Sequence, residues 1–273
     1  MSIKKNQHYV WRHYLKPWSI DSKICCKRND DVFNTSLKNV AVEKLFYESV
    51  QLKEEEENFV LNIMKNLEPS LQGPLLELFN FYKWTTKFEI TRKNGIEEFH
   101  TNLEKKGIKF LNNLYLENTL FLNNQNHQRD FCNYIGAQYT RTRKMRENLT
   151  LGGILSNYSL DMNRLSNIMH LIFIVVIGNW LFSRGKIEFL KVSGDLNLIT
   201  ADQPIINTKG TIDLNETPEE FELYYPLTPK LALYLSEENE GIRHLNNVEI
   251  KEFNSLIKTH HYKQLFALGV GDI

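Results

Sequence analysis

Three short polar motifs in this chain sit in apolar surroundings, and between them they hold a histidine, an arginine and a carboxylate. The first is Gln7-His8-Tyr9-Val10, followed by Tyr14-Leu15. The second is Gln138-Tyr139-Thr140-Arg141-Thr142-Arg143. The third is Leu198-Ile199-Thr200-Ala201-Asp202-Gln203-Pro204, an apolar run that ends in a carboxylate and a proline. Histidine titrates near neutrality, so it can move a proton or, when neutral, bind a metal. The arginine fork holds two oxygens of a phosphate or carboxylate at once. A carboxylate at a strand end can bind a metal, act as a base, or hold a histidine or arginine. The set suits a phosphate-containing or otherwise anionic substrate. No complete catalytic signature accompanies it.

Each of these residues also has a structural reading. His8 precedes Tyr9, Val10, Trp11 and Tyr14, whose packing would hold an imidazole near the core as a satisfied structural group. Asp202 could cap a turn of backbone instead of meeting a ligand. On a helix, positions 138 and 141 share a face, as do 139 and 143, while 141 and 143 do not, so one of the two arginines can enter a pocket while the other stays in water. Alternatively Arg141, Arg143, Lys144 and Arg146 make a solvated basic face. Glu68, directly before Pro69, is a further candidate carboxylate, with a helix kink as its structural alternative. His260-His261 has no second ligand pair at metal spacing and reads as surface.

The elements that must position these residues follow from the hydrophobic pattern. Gln7 to Trp18 reads as a short helix ended by Pro17. Lys23 to Lys27 and Asp31 to Asn34 read as a hairpin. Phe59, Ile63, Leu67, Leu71, Leu75 and Leu78 recur at helical spacing from Glu54 to Lys87, with breaks or kinks expected at Pro69 and at Gly73-Pro74. Further helices are expected at Ile96 to Leu122 with a break near Gly107, at His127 to Leu149, and from Ser159 to Ser183 with Ser159 or Asp161 as cap. Strands are expected at 187–190, 196–200, 204–207, 221–225 and 230–235, and a last helix at Asn247 to Phe266. The order is α+β: a central helical block with a small mixed sheet built from N-terminal and C-terminal strands. Neither end holds enough strands for a core alone, so residues 1–273 read as a single domain.

Composition narrows the function classes. Of 273 residues, 42% are hydrophobic and 24% charged, which fits a packed protein rather than a disordered one. Lys+Arg and Asp+Glu are 33 each, so the basic excess of a protein that coats nucleic acid is missing; contact with RNA or DNA would need a local patch or a pocket. Cys25, Cys26 and Cys132 form neither a disulfide framework nor a zinc pattern, and their number fits a reducing cytoplasm. Leu171 to Phe182 is short of the ~20 apolar residues that span a bilayer and reads as a core helix, so no membrane contact is expected.

Read in order, the motifs resemble an uncharacterised bacterial family, a domain of unknown function. Its hallmarks are a His-Tyr-Val-Pro-like start, a tyrosine and Arg-Thr helix, and a strand ending Thr-Ser-Asp-x-Pro. The matching residues are His8-Tyr9-Val10 with Tyr14-Leu15, Asn39-Val40-Ala41 with Phe46-Tyr47, Glu68, and Gln138-Tyr139 with Arg141-Thr142. They continue with Thr200, Asp202 and Pro204, then Pro226-Leu227-Thr228-Pro229, and Asn254 in the final helix. Trp11 stands where the family has proline, and Ala201 where it has serine. The resemblance covers nearly the whole chain and implies no reaction. By association it points to accessory or mobile-element proteins, a context compatible with toxin or antiviral-defence effectors.

Two functions are expected from these residues. In the first, the chain is a metal-dependent nuclease of bacterial toxin or antiphage-defence type. His8 acts as acid/base or metal ligand, and Glu68 and Asp202 hold Mg²⁺ or Mn²⁺ or orient His8. Arg141, with Gln138, stabilises charge on phosphate. In the second, the protein is non-catalytic, a ligand-sensing or protein-interaction protein. Asp202 and Arg141 then form a buried salt bridge beside His8. Both require His8, Gln138, Arg141 and Asp202 to share one pocket, with Glu68 joining them.

Overall fold

The computed structural model describes residues 2–151, 160–210 and 220–273. Five strands come first: β1 (Asn6–His8), β2 (Ser19–Ile20), β3 (Lys23–Arg28), β4 (Asp31–Ser36) and β5 (Val42–Lys44). A helical block follows, with α1 (Glu54–Lys65), α2 (Pro69–Thr85), α3 (Glu89–Leu114), α4 (Gln125–Thr140), α5 (Arg143–Leu151) and α6 (Met162–Arg184). Then come β6 (Lys186–Val192), β7 (Thr200–Ala201), β8 (Ile206–Asn207), β9 (Leu223–Thr228), β10 (Leu231–Ser236) and β11 (Gly241–Leu245). Helix α7 (Asn247–His260) and strand β12 (Gln264–Ala267) close the order. The class is mixed α+β.

Among the described residues the strands form three sheets. β1 and β5 pair alone, through Asn6↔Lys44, Gln7↔Glu43 and His8↔Val42. A second sheet, in the order β2-β3-β12-β7 with β4 on β3, joins N-terminal to C-terminal strands, as the sequence suggests. The third, β11-β6-β10-β9-β8, is wholly C-terminal, and its edge strand β11 runs parallel to β6. The hairpin of β3 and β4 is as expected, turning at Asn29, whose φ of 55° asparagine tolerates. Cys25 and Cys26 point to opposite faces of β3 and are both buried, because β3 is covered on both sides.

Several local expectations are corrected. The stretch from Gln7 to Trp18 is not a helix; β1 takes its start and a single 3₁₀ turn at Lys16–Trp18 its end. Gln7 explains the preference: its amide donates to Lys93 O at 2.8 Å and its carbonyl accepts from Tyr47 N at 2.7 Å, contacts that only the extended strand reaches. Pro69 divides α1 from α2, but Pro74 lies inside α2 without ending it. Ser70, Gly73 and Pro74 are exposed there, so water can satisfy the carbonyl that Pro74 frees. α3 starts earlier and runs unbroken through Gly107. The expected 127–149 helix breaks after Thr140, where Thr142 Oγ1 accepts from Met145 N at 3.3 Å and starts α5. Asp161 caps α6 through Asn163 N at 3.0 Å, while Ser159 lies outside the described residues. The last helix stops at His260, and Phe266 belongs to β12.

α6 is 23 residues long and, by length and composition alone, apolar enough to cross a membrane. In this fold it packs against α2, α4 and α5, and Leu165, Ile168, Leu171, Ile172 and Ile174 are buried. Gly136 and Gly178 permit that packing: a Cβ on Gly136 would lie 2.9 Å from Ile174 O, and one on Gly178 2.4 Å from the Asn133 side chain.

Candidate functional site

A buried polar cluster lies where β1, α3, α4, α5 and α6 meet. α3 carries Glu97, His100 and Glu104 at i, i+3 and i+7, so one helix face presents two carboxylates and an imidazole. Arg141, at the C-terminal cap of α4, is 2% exposed. It donates through Nη1 to Glu104 Oε1 at 2.7 Å and through Nη2 to Gln138 Oε1 at 3.2 Å. Its Nε has no partner among the described residues. The Glu104 charge holds Arg141 more firmly protonated than usual, although burial opposes this. Burial pushes Glu104 up against the pull of Arg141. Glu97 is pushed up to about 7, first by burial and then by the charge of Glu104, while Arg141, Lys4 and Arg12 pull it back.

His8 borders this cluster. Its ring faces the backbone of Lys38, and among the described residues its Nε2 is buried without a partner. Burial, then the charges of Arg12 and Arg141, lower its pKa to about 4, so the imidazole is neutral at physiological pH with an open acceptor. Tyr47 sits centrally: its hydroxyl donates to His8 O at 3.2 Å, and its ring centroid is 4.7 Å from that of His100. Arg146 lies over the Phe46 ring at 3.6 Å and donates to Asn167 Oδ1; burial lowers it to about 10.

His100 and His170 form a second buried pair, with Nε2 to Nε2 at 2.9 Å. Burial holds both neutral, His170 at about 3 and His100 well below its usual value, and Arg141 and Arg146 reinforce this. Two neutral rings joined through Nε2 must be opposite tautomers. One Nδ1 of the pair therefore carries a proton and the other is a bare acceptor, and neither has a partner among the described residues.

The sequence candidates divide into two places and an outlier. Gln138 and Arg141 meet, the expected shared face being present as a hydrogen bond, and His8 lies near enough for the Arg141 charge to help lower its pKa. Asp202 does not pair with Arg141. Its carboxylate accepts from the backbone N–H groups of Tyr262, Lys263 and Gln264 at 2.9, 2.9 and 3.0 Å, and its own N–H donates to Gln264 O at 3.0 Å. It therefore closes the turn between α7 and β12; burial raises its pKa while the three N–H donors hold it down. Tyr9 faces the charge of Asp202 while its neighbour His8 faces that of Arg141. The α4 and β7 motifs do meet, one residue further along, where Thr142 Oγ1 donates to Gln203 Oε1.

Glu68 is the outlier. It is exposed, precedes the first turn of α2 and accepts from Asn179 Nδ2 at 3.3 Å. The structure does not bring His8, Glu68 and Asp202 together as metal ligands, and among the described residues no three His, Cys, Asp or Glu side chains gather as a metal site. Arg143 is partly exposed, 3.7 Å from Glu43 and over the Tyr262 ring. His260 and His261 are half-buried on α7 and its cap and face carbonyls of that helix.

The remaining motif residues tie elements together. Tyr14 Oη is 2.7 Å from Thr200 Oγ1 and donates to Pro226 O at 2.7 Å, which links the first, third and Pro-Leu-x-Pro motifs. Asn254 accepts from Ile199 N at 3.0 Å and donates to Asn197 O at 2.8 Å. The sequence reading missed Glu97, His100, Glu104 and His170. The one available signal was that Glu97, His100, Glu104 and Leu111 share the stripe that also carries Gly107.

A family described as protein of unknown function (DUF4238) matches residues 6–268. No curated protein and no solved structure matches the chain.

Proposed function

The chain belongs to the DUF4238 family, and from its polar cluster we propose that it is a cytoplasmic nuclease, a phosphodiester hydrolase working by acid–base catalysis. The observation that carries this reading is His8 Nε2, buried and without a partner among the described residues on an imidazole that burial holds neutral. Glu97, raised to about 7, shares Arg12 and Arg141 with it as charged neighbours. His8 takes the proton of the attacking water or hydroxyl. Protonated Glu97 supplies one to the leaving oxygen. Arg12, exposed at the edge, meets the phosphate charge, while Glu104 and Gln138 hold Arg141 in place.

The donor set does not fit Mg²⁺ or Mn²⁺. Glu104 is engaged by Arg141, and Lys4, Arg12 and Arg141 already supply positive charge beside Glu97. The proposed hydrolysis therefore runs on side chains alone. Purified protein is incubated with RNA and with DNA, with and without EDTA. We expect cleavage that survives EDTA and falls by about 10²–10⁴-fold in His8→Ala and in Glu97→Gln. Absence of cleavage by the wild type, or cleavage unchanged in both variants, overturns the proposal. For a toxin or defence type, expression arrests bacterial growth and His8→Ala relieves the arrest.

A second reading is favoured by Asp202, both of whose oxygens accept from backbone N–H groups. On this reading the motifs build a non-catalytic ligand-sensing or protein-interaction fold. Thermal melting discriminates. A large loss of stability in His8→Ala supports the structural role, and unchanged melting with lost cleavage supports the enzyme.

A further inference from the structure

Between α3 and the start of α4 lies a cleft of about 410 Å³, within the range of roughly 300–1,000 Å³ usual for small-molecule sites. Lys105, Lys106, Lys109 and His127 line it, over the rings of Phe110 and Phe121. Phe110 is buried and its ring lies 5.1 Å from that of Phe121, so the apolar part of the cleft is aromatic. The one carboxylate in the lining, Asp130, is taken by Lys106 at 2.7 Å. Lys105 and Lys109, one turn apart on α3, have no carboxylate within ion-pair distance among the described residues. The cleft thus carries a local positive charge in a chain of zero formal net charge.

We propose that this cleft binds a nucleotide, its phosphate on Lys105 and Lys109 and its base against Phe121, as a free mononucleotide or as part of a single strand. Lysine ammonium groups are mobile point charges that suit phosphate. Aromatic rings take a base of any sequence by its flat face, and a cation beside a stacking ring is how single-stranded nucleic acid is held without base reading. A carboxylate metabolite would use the cations but leave the aromatic surface idle. None of the lining side chains belongs to the polar cluster, so occupancy of the cleft does not depend on that cluster being catalytic.

The probes are AMP, inorganic pyrophosphate and a 5′-phosphorylated oligothymidine, each titrated calorimetrically against the full chain. We expect AMP to bind and to bind more tightly than pyrophosphate. The exposed pair Lys105→Glu with Lys109→Glu should weaken AMP about tenfold or more with unchanged melting. Phe121→Leu, which keeps apolar bulk and removes the ring, should weaken AMP and leave pyrophosphate unaffected. If the strand is the ligand, it binds more tightly than AMP, and its log K against log salt slope flattens by roughly 1.4 for two lost phosphate contacts. Equal affinity for AMP and the strand assigns the free nucleotide. His8→Ala should leave all binding intact even where it abolishes cleavage. No binding of either nucleotide probe, binding indifferent to the double lysine variant, or pyrophosphate binding as tight as AMP overturns the proposal.

Discussion

Arg141 and Asp202 show how differently two buried charges can be satisfied. Arg141 depends on one carboxylate, Glu104, whereas Asp202 is met by three backbone N–H groups fixed by the chain itself. Glu104→Gln leaves the guanidinium buried without its counter-ion, and denaturant unfolding should show a loss of about 3–5 kcal/mol. Glu68→Gln removes an exposed charge with a single long hydrogen bond and should change stability by less than ~0.5 kcal/mol. A comparable loss for both would mean that Glu104 is not the partner on which Arg141 depends. The proposed chemistry has its own pH signature. His8 must be deprotonated, so activity rises as pH passes about 4; Glu97 must be protonated, so activity falls as pH passes about 7. A cleavage profile with its plateau between these limbs is expected, and Glu97→Gln should remove the alkaline limb along with most of the rate.

At the scale of the element, α3 decides where the cluster sits, because one stripe carries Glu97, His100 and Glu104 and then the close contact at Gly107. A Cβ on Gly107 would lie 2.5 Å from the Tyr134 ring, and Tyr134 is fully buried. Alanine improves helix propensity by ~1 kcal/mol, but overpacking a core typically costs ~1–3 kcal/mol. The steric effect should win, so Gly107→Ala lowers the melting temperature although a helix gains a better helix former. A stabilised variant would show that α3 and α4 can separate without cost.

At the scale of the whole molecule, buried ionisable groups pull stability in opposite directions with pH. His170 has a folded pKa of about 3 against 6.5 unfolded, so the unfolded chain binds more protons between those values. Its contribution is complete above 6.5 and is lost as pH falls toward 3; at ~1.4 kcal/mol per pH unit the loss is on the order of 4 kcal/mol. Glu97 is raised from 4.5 to about 7, so the folded chain binds more protons there, and its contribution is complete below 4.5 and lost as pH rises through 7. Measured against the wild type across pH, His170→Gln should become relatively more stable toward acid and Glu97→Gln relatively more stable toward neutral pH. Parallel pH curves for wild type and both variants would contradict the burial of these groups as ionisable.

Periodicity alone determined the α+β order, the β3–β4 hairpin, the helical block and the shared face of Gln138 and Arg141, because each depends on residues close in sequence. The separation of His8 from Asp202 was not local in that sense. His8 ends β1 near the charge of Arg141, Tyr9 just after the strand lies near that of Asp202, and only the pairing of β1 with β5 and the packing on α3 decide which side is which. The break at Arg141 was hidden for the same reason: Thr142 ends α4 by capping α5 and bonding Gln203, 61 residues away. The expected last helix runs into strand β12 because that strand finds its partners only in β3 and β7, more than 230 and 60 residues before it. Local periodicity is set by side chains a few positions apart, whereas the partner of a buried charge is chosen by whichever distant element closes over it, and that choice belongs to the tertiary structure.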